Sequence, residues 1–212
     1  MSKNKFIIIY DTYCGWCYGA APIFDALLES GANVEVLHRH LFQGANAPRM
    51  RDGKGDYIVD MDARIAQLTG QQFSEIYTRN VIRSKVEVLD SSYSALAAAL
   101  VHDQGAEKEF SLRRRLEKLR FVAGTSAQDK QAVTNALVDE GVDYDQAVQL
   151  DHPSNTKKAQ SISQRAVELM RLVGSAGVPT ILQVKDKKIE QVDHSAFYGR
   201  PELILSLLET SA

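Results

Sequence analysis

Strand-like segments occur only near the two ends of this 212-residue sequence, and a long helical stretch separates them. Short β-branched or alternating apolar runs typical of strands lie at residues 6–10, 34–42, 180–184 and 188–192. Because the strands of one sheet must lie side by side, the helical stretch has to begin and end near that sheet. The order therefore predicts an α/β fold with a large all-helical insertion between the second and third strands.

The helical stretch shows apolar residues at spacings of three or four, punctuated by glycines and capping residues. Candidate helices cover residues 57–69, 71–83, 91–104, 107–122, 125–140 and 154–173, with a shorter turn at 143–150 and a last helix at 201–209. We therefore expect a discontinuous sheet domain, residues 1–45 and 174–212, and a helical insertion domain, residues 46–173.

The composition excludes several classes of protein. Hydrophobic residues make up 44% and charged residues 25%, and the formal net charge is -2, as in an ordinary globular protein. This balance gives no general electrostatic reason to bind nucleic acid or an acidic membrane surface. No apolar run approaches the roughly 20 residues of a membrane span. The run at residues 6–9 is also shorter than a secretory signal needs, so we expect a cytoplasmic protein.

The two cysteines, Cys14 and Cys17, lie where the first strand ends and a helical pattern begins. This spacing places both thiols in one helical turn, close enough to form a disulfide. Unpaired N–H groups and the positive end of the helix dipole favour a thiolate at Cys14. We predict Cys14 as the exposed nucleophile and Cys17 as the buried resolving thiol. The redox-active pair serves as the reactive group, and we expect no other cofactor and no metal.

Two neighbours of the cysteines are further candidates. Trp16 between the thiols would be an exposed aromatic residue that contacts an apolar substrate segment, unless it is partly buried against the insertion. Asp11 at the end of the first strand could relay a proton to or from Cys17, as a buried carboxylate can. A simpler role for Asp11 is to cap the turn.

A metal site is an alternative use of a Cys-x-x-Cys motif, but it needs two more ligands. His38 and His40 are the candidates, because they share one face of the predicted second strand and could approach the cysteines. A separate basic cluster could indicate nucleic-acid binding; it comprises Arg113, Arg114, Arg115, Lys118 and Arg120. Glutamates at helical spacings among these residues favour a solvated, salt-bridged helix face instead; they are Glu107, Glu109 and Glu117.

Two motifs carry a family resemblance. The run Cys14-Gly15-Trp16-Cys17, followed by Ala21-Pro22-Ile23-Phe24, resembles the active-site helix of thioredoxin-fold proteins. Gly177-Val178-Pro179-Thr180 resembles the loop that carries the cis-proline of that fold. Together with the position of the helical insertion, these motifs are similar to the DsbA-like thiol-disulfide oxidoreductases, near the FrnE-like branch of predicted protein disulfide isomerases.

The resemblance implies a thioredoxin fold in which Pro179 lies against the redox pair and Val178 and Pro179 contact substrate. It also implies thiol or disulfide substrates, either proteins or glutathione. Gly-Trp between the cysteines replaces the Pro-His of strongly oxidising members, which favours a reductase or isomerase in a reducing cytosol. A glutathione-dependent transferase or isomerase of the kappa-like type is the first alternative, although those relatives commonly carry Ser and lack the second thiol. A metal-binding or redox-sensing module is the second.

Overall fold

The computed structural model describes residues 5–186 and 188–209, and its centre is a four-stranded mixed sheet. The strands are β1 (Lys5–Tyr10), β2 (Asn33–His38), β3 (Thr180–Lys185) and β4 (Lys188–Val192), in the spatial order β2-β1-β3-β4. β1 runs parallel to β2 and antiparallel to β3, and β3 pairs antiparallel with β4. This arrangement confirms the α/β fold, with both ends of the chain contributing to one sheet.

The central strand β1 is buried on both faces, as its continuous apolar run indicates. Phe6 and Ile8 pack on one side in a hydrophobic cluster with Phe24 of the first helix, α1 (Gly15–Glu29). Ile7 and Ile9 face the other side, in a cluster that continues into the helical stretch. The division into two domains stays a prediction, and its limits include residues 1–4, 187 and 210–212, which lie outside the described residues.

The helical stretch follows the predicted order closely. It contains α2 (Lys54–Thr69), α3 (Glu75–Tyr77), α4 (Ser92–Val101), α5 (Ala106–Glu117), α6 (Lys130–Asp139), α7 (Tyr144–Val148) and α8 (Pro153–Val173). Two of these helices continue as π-helical turns, α3 through Thr78–Ile82 and α5 through Lys118–Val122. Short 3-10 turns occur at Gly44–Asn46, Met50–Asp52, His102–Gln104, His194–Phe197 and Pro201–Leu205, the last leading into α9 (Ser206–Glu209).

The prediction for the second strand is wrong at its C-terminal end. β2 ends at His38 instead of continuing to residue 42. His40 adopts a positive φ of 51°, which takes the backbone out of the extended region, and the Leu41 N–H donates to the Asp11 carboxylate. His38 and His40 therefore do not share a strand face.

The helix predicted from residue 125 begins later, at Lys130. Asp129 is its N-cap and accepts a hydrogen bond from the Ala132 N–H at 2.9 Å. Ser126, one of the predicted caps, instead donates its hydroxyl to Glu87 at 2.6 Å. The last predicted helix, residues 201–209, is likewise a 3-10 turn over most of its length.

The basic cluster forms ion pairs as expected, but two of its members are not solvated. Arg113 and Arg120 are each only 1% exposed. Arg113 pairs with Asp25 at 2.8 Å, and Arg120 pairs with Glu87 at 3.2 Å. These guanidinium groups also lie over aromatic rings, Arg113 over Phe110 and Arg120 over Tyr13. The expectation of a solvated face is therefore wrong for these two residues, whereas Arg114, Arg115 and Lys118 are exposed.

We predict that Gly55→Ala destabilises the packing of α2, because an added Cβ would lie 2.6 Å from the Ile82 carbonyl oxygen. We expect the free energy of unfolding to fall by about 1–2 kcal/mol, the overpacking cost less the gain in helix propensity. Chemical denaturation measures this change. Gly177→Ala is the matched control, since nothing lies within 4 Å of its added Cβ. An equal effect in both variants would contradict the packing argument.

Candidate active site

Cys14 is the N-cap residue of α1, with extended dihedral angles of φ -80° and ψ 120°. Its N–H donates to the Asp11 carbonyl at 3.1 Å, which closes the turn between β1 and α1. Its side chain makes no capping hydrogen bond, so it does not engage the first N–H groups of the helix. The position at the positive end of the helix dipole can still favour a thiolate.

Cys17 is more deeply buried than Cys14, as predicted, but the difference is smaller than expected. Cys17 is fully buried, and Cys14 is 8% exposed, so the expectation of an exposed Cys14 is wrong. Cys14 is covered in part by the loop before β3, where its Sγ lies 3.7 Å from the Val178 carbonyl oxygen. Both cysteines are free thiols.

Burial raises the pKa of Cys17 well above its usual value, and a hydrogen bond with Cys14 and the charge of Cys14 raise it further. The Asp11 N–H donates to Cys17 Sγ at 3.4 Å, and this hydrogen bond acts to lower the pKa of Cys17. In the reduced pair, Cys17 therefore keeps its proton as a hydrogen-bond donor to Cys14.

The Asp11 carboxylate is completely buried and accepts three hydrogen bonds. Oδ1 accepts from the Tyr13 N–H at 3.0 Å. Oδ2 accepts from the Leu41 N–H at 2.7 Å and from the Ser91 hydroxyl at 2.6 Å. The side chain thus caps the turn before Cys14, the simpler of the two predicted roles. A proton relay through Asp11 stays a prediction.

The Val178–Pro179 peptide bond is cis, as the resemblance implied. Val178 and Pro179 line a cavity of about 370 Å³ together with Trp16 and the segment after β4. Trp16 is half-buried and stacks on Tyr198, with ring centroids 6.0 Å apart and planes 18° apart. Trp16 is thus partly buried as in the second expectation, but its stacking partner, Tyr198, lies outside the insertion.

Tyr198 is a site residue that sequence reasoning missed. Its hydroxyl is buried and has no hydrogen-bond partner among the described residues. Burial raises its pKa, and the charges of Cys17 and Cys14 raise it further, so the hydroxyl is electrostatically coupled to the redox pair. It lies in a short segment between β4 and α9 that no motif marks, and only the folded chain shows its proximity to the sulfurs.

A second cavity of about 350 Å³, also bordered by Trp16, lies between the α1 N-terminus and α2. Its walls are mostly apolar, and they include Phe42, Ile58, Met61, Ile65, Ile82 and Leu89. Cys14, Asp62 and Lys54 also line it. Asp62 is only 6% exposed, and burial raises its pKa to about 7. The sequence gives no signal for Asp62, which lies within an ordinary helical pattern.

The histidines proposed as metal ligands have other contacts. His38 is buried, and its Nε2 accepts a hydrogen bond from the Thr12 N–H at 3.3 Å. His40 Nε2 lies 3.0 Å from the Ser92 hydroxyl. Among the described residues, no group of three or more His, Cys, Asp or Glu side chains is arranged to hold a metal ion. The metal-binding alternative therefore has no ligand set in this part of the chain.

A family model of the DsbA-like thioredoxin domain matches residues 6–198. The chain therefore belongs to the DsbA-like thioredoxin family, and it is a thiol-disulfide oxidoreductase with Cys14 and Cys17 as its Cys-x-x-Cys motif. No curated protein matches the sequence. In the described ranges, no helix is long and apolar enough to cross a membrane.

Solved structures agree with this assignment. The cytosolic disulfide reductase DsbM from Pseudomonas aeruginosa is 26% identical with a TM-score of 0.84, covering 97% of both chains. A structure of DsbM with GSH gives 25% identity and a TM-score of 0.81, covering 97% of this chain and 98% of that one. A 2-hydroxychromene-2-carboxylate isomerase shares the fold at 16% identity and a TM-score of 0.57, covering 98% and 100% of the respective chains.

We predict that limiting iodoacetamide at neutral pH labels Cys14 before Cys17 in the reduced protein. The reason is that Cys17 is fully buried and holds its proton, whereas Cys14 is partly accessible at a helix N-terminus. Mass spectrometry of the peptides identifies the labelled thiol, and the denatured protein should label at both positions. Faster labelling of Cys17 would contradict the assignment of roles.

Proposed function

We propose that this protein is a cytoplasmic enzyme that reduces disulfides formed by glutathione or by the cysteines of proteins. The observation that carries the proposal is the pair geometry: Cys14 lies at a helix N-terminus beside the Val178 carbonyl, and Cys17 lies fully buried one turn deeper. The similarity to a protein named as a cytosolic disulfide reductase, also solved with GSH, supports electron transfer from the protein to the substrate, and it supports the substrate class. We propose no cofactor beyond the two thiols.

In the first step, the Cys14 thiolate attacks a substrate disulfide, forms a mixed disulfide and releases one substrate thiol. This bond removes the Cys14 charge, one of the causes of the raised Cys17 pKa. Cys17 then loses its proton and attacks the Cys14 sulfur, which releases the second substrate thiol and leaves the Cys14–Cys17 disulfide. An external thiol reduces the pair again. The order of the steps thus follows from the coupling between the two thiols.

We propose that Val178, Pro179 and Trp16 hold the half of the substrate that becomes attached to Cys14. Ala176, Gly177 and Val178 belong to an accessible loop, and the backbone of such a loop can pair with an extended peptide or with the backbone of glutathione. Asp11 remains a proposed proton relay to Cys17, whose Sγ accepts a hydrogen bond from the Asp11 backbone N–H.

The reductase proposal predicts different behaviour for the two cysteine variants. Cys14→Ser should abolish reduction of glutathione disulfide, since the remaining thiol, Cys17, is fully buried and holds its proton. Cys17→Ser should react once and accumulate a mixed disulfide with one glutathione per chain, visible by intact mass spectrometry. A Cys17→Ser variant that turns over like wild type would contradict the resolving role, and a wild-type protein that reduces neither glutathione disulfide nor a protein disulfide would overturn the proposal.

A second prediction concerns Trp16→His. A protonated imidazole would stabilise the Cys14 thiolate by charge and hydrogen bonding, whereas an indole cannot. Stabilising the thiolate stabilises the reduced form, so the reduction potential should rise. A gain of about 1–2 kcal/mol corresponds to about 20–40 mV for this two-electron couple. Redox titration in a glutathione buffer at pH 7 measures the shift, with Trp16→Phe as the uncharged control. An unchanged or lower potential would show that the residue at position 16 does not determine the reduction potential of the pair.

The kappa-like transferase or isomerase is not favoured by the site. A solved isomerase shares the fold, but at 16% identity this similarity concerns the fold alone. The presence of both thiols in one turn, coupled by a hydrogen bond, favours thiol-disulfide exchange.

A further inference from the structure

We propose that Asp62 is a catalytic residue of the first exchange step, in which its carboxyl group gives a proton to the substrate thiolate that leaves when Cys14 attacks. The leaving half of the substrate then lies in the 350 Å³ cavity between α1 and α2. This inference rests on the proposed reductase function, because it concerns a step of that reaction.

The geometry places Asp62 directly beside the redox motif. α2 packs so closely against the start of α1 that a Cβ added at Gly15 would lie 2.9 Å from Asp62 Oδ1. Gly15 immediately follows Cys14, and Cys14 and Asp62 line the same cavity. A leaving thiolate in this cavity is therefore within the space that both side chains border.

The Asp62 carboxyl group lies in surroundings that favour its neutral, protonated form. It is 6% exposed, and Oδ2 has no hydrogen-bond partner among the described residues. Burial disfavours the charged form of a carboxyl group, and more so when one of its oxygens lacks a hydrogen-bond donor. Burial raises the pKa of Asp62 to about 7, while a hydrogen bond with Tyr77 and the charge of Arg120 act to lower it. A carboxyl group with this pKa can both give and regain a proton near neutral pH.

Other groups near the pair are less suited to this step. Asp11 already accepts three hydrogen bonds with its carboxylate, and it does not line this cavity. Cys17 holds its proton until the second step. Tyr198 borders the cavity along Val178 and Pro179 instead, and burial raises its pKa. Among the described residues that line the α1–α2 cavity, Asp62 is thus the acid matched to neutral pH.

The proposed step balances. An electron pair of the Cys14 thiolate forms the new S–S bond, and the substrate S–S bond breaks with its electron pair on the distal sulfur. That sulfur takes the proton of Asp62 and leaves as a neutral thiol. Asp62 is left as a carboxylate and regains a proton from water before the next turnover. No oxidant or reductant other than the substrate disulfide and the reduced protein is needed.

The test compares two leaving groups in single-turnover reactions of the pre-reduced protein. Glutathione leaves as an alkyl thiolate that takes up a proton near neutral pH, whereas the aromatic thiolate from 5,5'-dithiobis(2-nitrobenzoate) stays ionised and needs none. We expect Asp62→Asn to slow the reaction with glutathione disulfide about tenfold. This is less than the usual 10²–10⁴-fold of a general acid, because thiolates are already good leaving groups. The reaction with the aromatic disulfide should stay within twofold of wild type.

The readouts and the control use features of this chain. Trp16 is the only tryptophan and adjoins the reacting thiols, so its fluorescence reports the reaction with glutathione disulfide, and absorbance reports the aromatic product. Asp60→Asn, an exposed position on the same helix, is the matched control and should leave both rates unchanged. Equal slowing of both substrates by Asp62→Asn would indicate a purely structural role and overturn the proposal. Failure of wild type with both disulfides would instead overturn the reductase function.

A second measurement needs no variant. In wild type, the ratio of the two rates, glutathione disulfide over aromatic disulfide, should fall as pH rises from 6 to 9, because Asp62 loses its proton. The titratable and charged groups that face Asp62 or share its cavity come from several elements: Tyr13 and Cys14 before α1, Lys54 and Tyr57 of α2, Tyr77 of α3, and Arg120 of the π-helical turn after α5. Cys14 is the nucleophile in both reactions, so its contribution to the two rates largely cancels in the ratio. A ratio independent of pH would contradict the proposal.

Discussion

The buried carboxylate of Asp11 is the contact on which the arrangement of the site depends. Its three hydrogen bonds join the turn after β1, the segment after β2 and the start of α4. A buried charge that loses such donors is strongly destabilising, so these three elements cannot move independently. The turn held in this way carries Cys14. The backbone N–H of Asp11 also donates a hydrogen bond to Cys17 Sγ. One side chain thus fixes the redox pair to both the sheet and the helical stretch.

Ion pairs inside the protein fix the helical stretch to α1 in the same manner. Arg113 bridges Glu117 on its own helix and Asp25 on α1, and Arg120 reaches Glu87. Removing one partner of a buried pair typically costs about 3–5 kcal/mol, because the remaining charge is left uncompensated. The aromatic rings beneath the guanidinium groups make these contacts part of the hydrophobic packing. These contacts therefore hold α5 against α1 and the π-helical turn after α5 against Tyr13, next to the redox motif.

Local pattern predicted the parts of this structure that depend on neighbours in sequence. The apolar run of β1, the change of spacing at Cys14 and the capping residues located the sheet, the redox motif and most helices. The resemblance carried by residues 177–180 located the cis-proline. The errors have tertiary causes: the Leu41 bond to Asp11 ends β2 early, and Ser126 bonds to Glu87 instead of capping a helix. The sequence does not single out Tyr198 or Asp62, because the residues around them in the folded chain come from distant segments.

The two cavities beside the redox pair differ in a way that follows from the elements that build them. The cavity along Val178 and Pro179 is bordered by a loop whose backbone groups are accessible, which suits the part of a substrate that must be held by hydrogen bonds. The cavity along α2 is mostly apolar with a single buried carboxyl group, which suits a sulfur that changes charge during the reaction. Trp16 borders both. Since a disulfide has an attached half and a leaving half, a site with two unlike cavities that share Trp16 can treat the two halves differently.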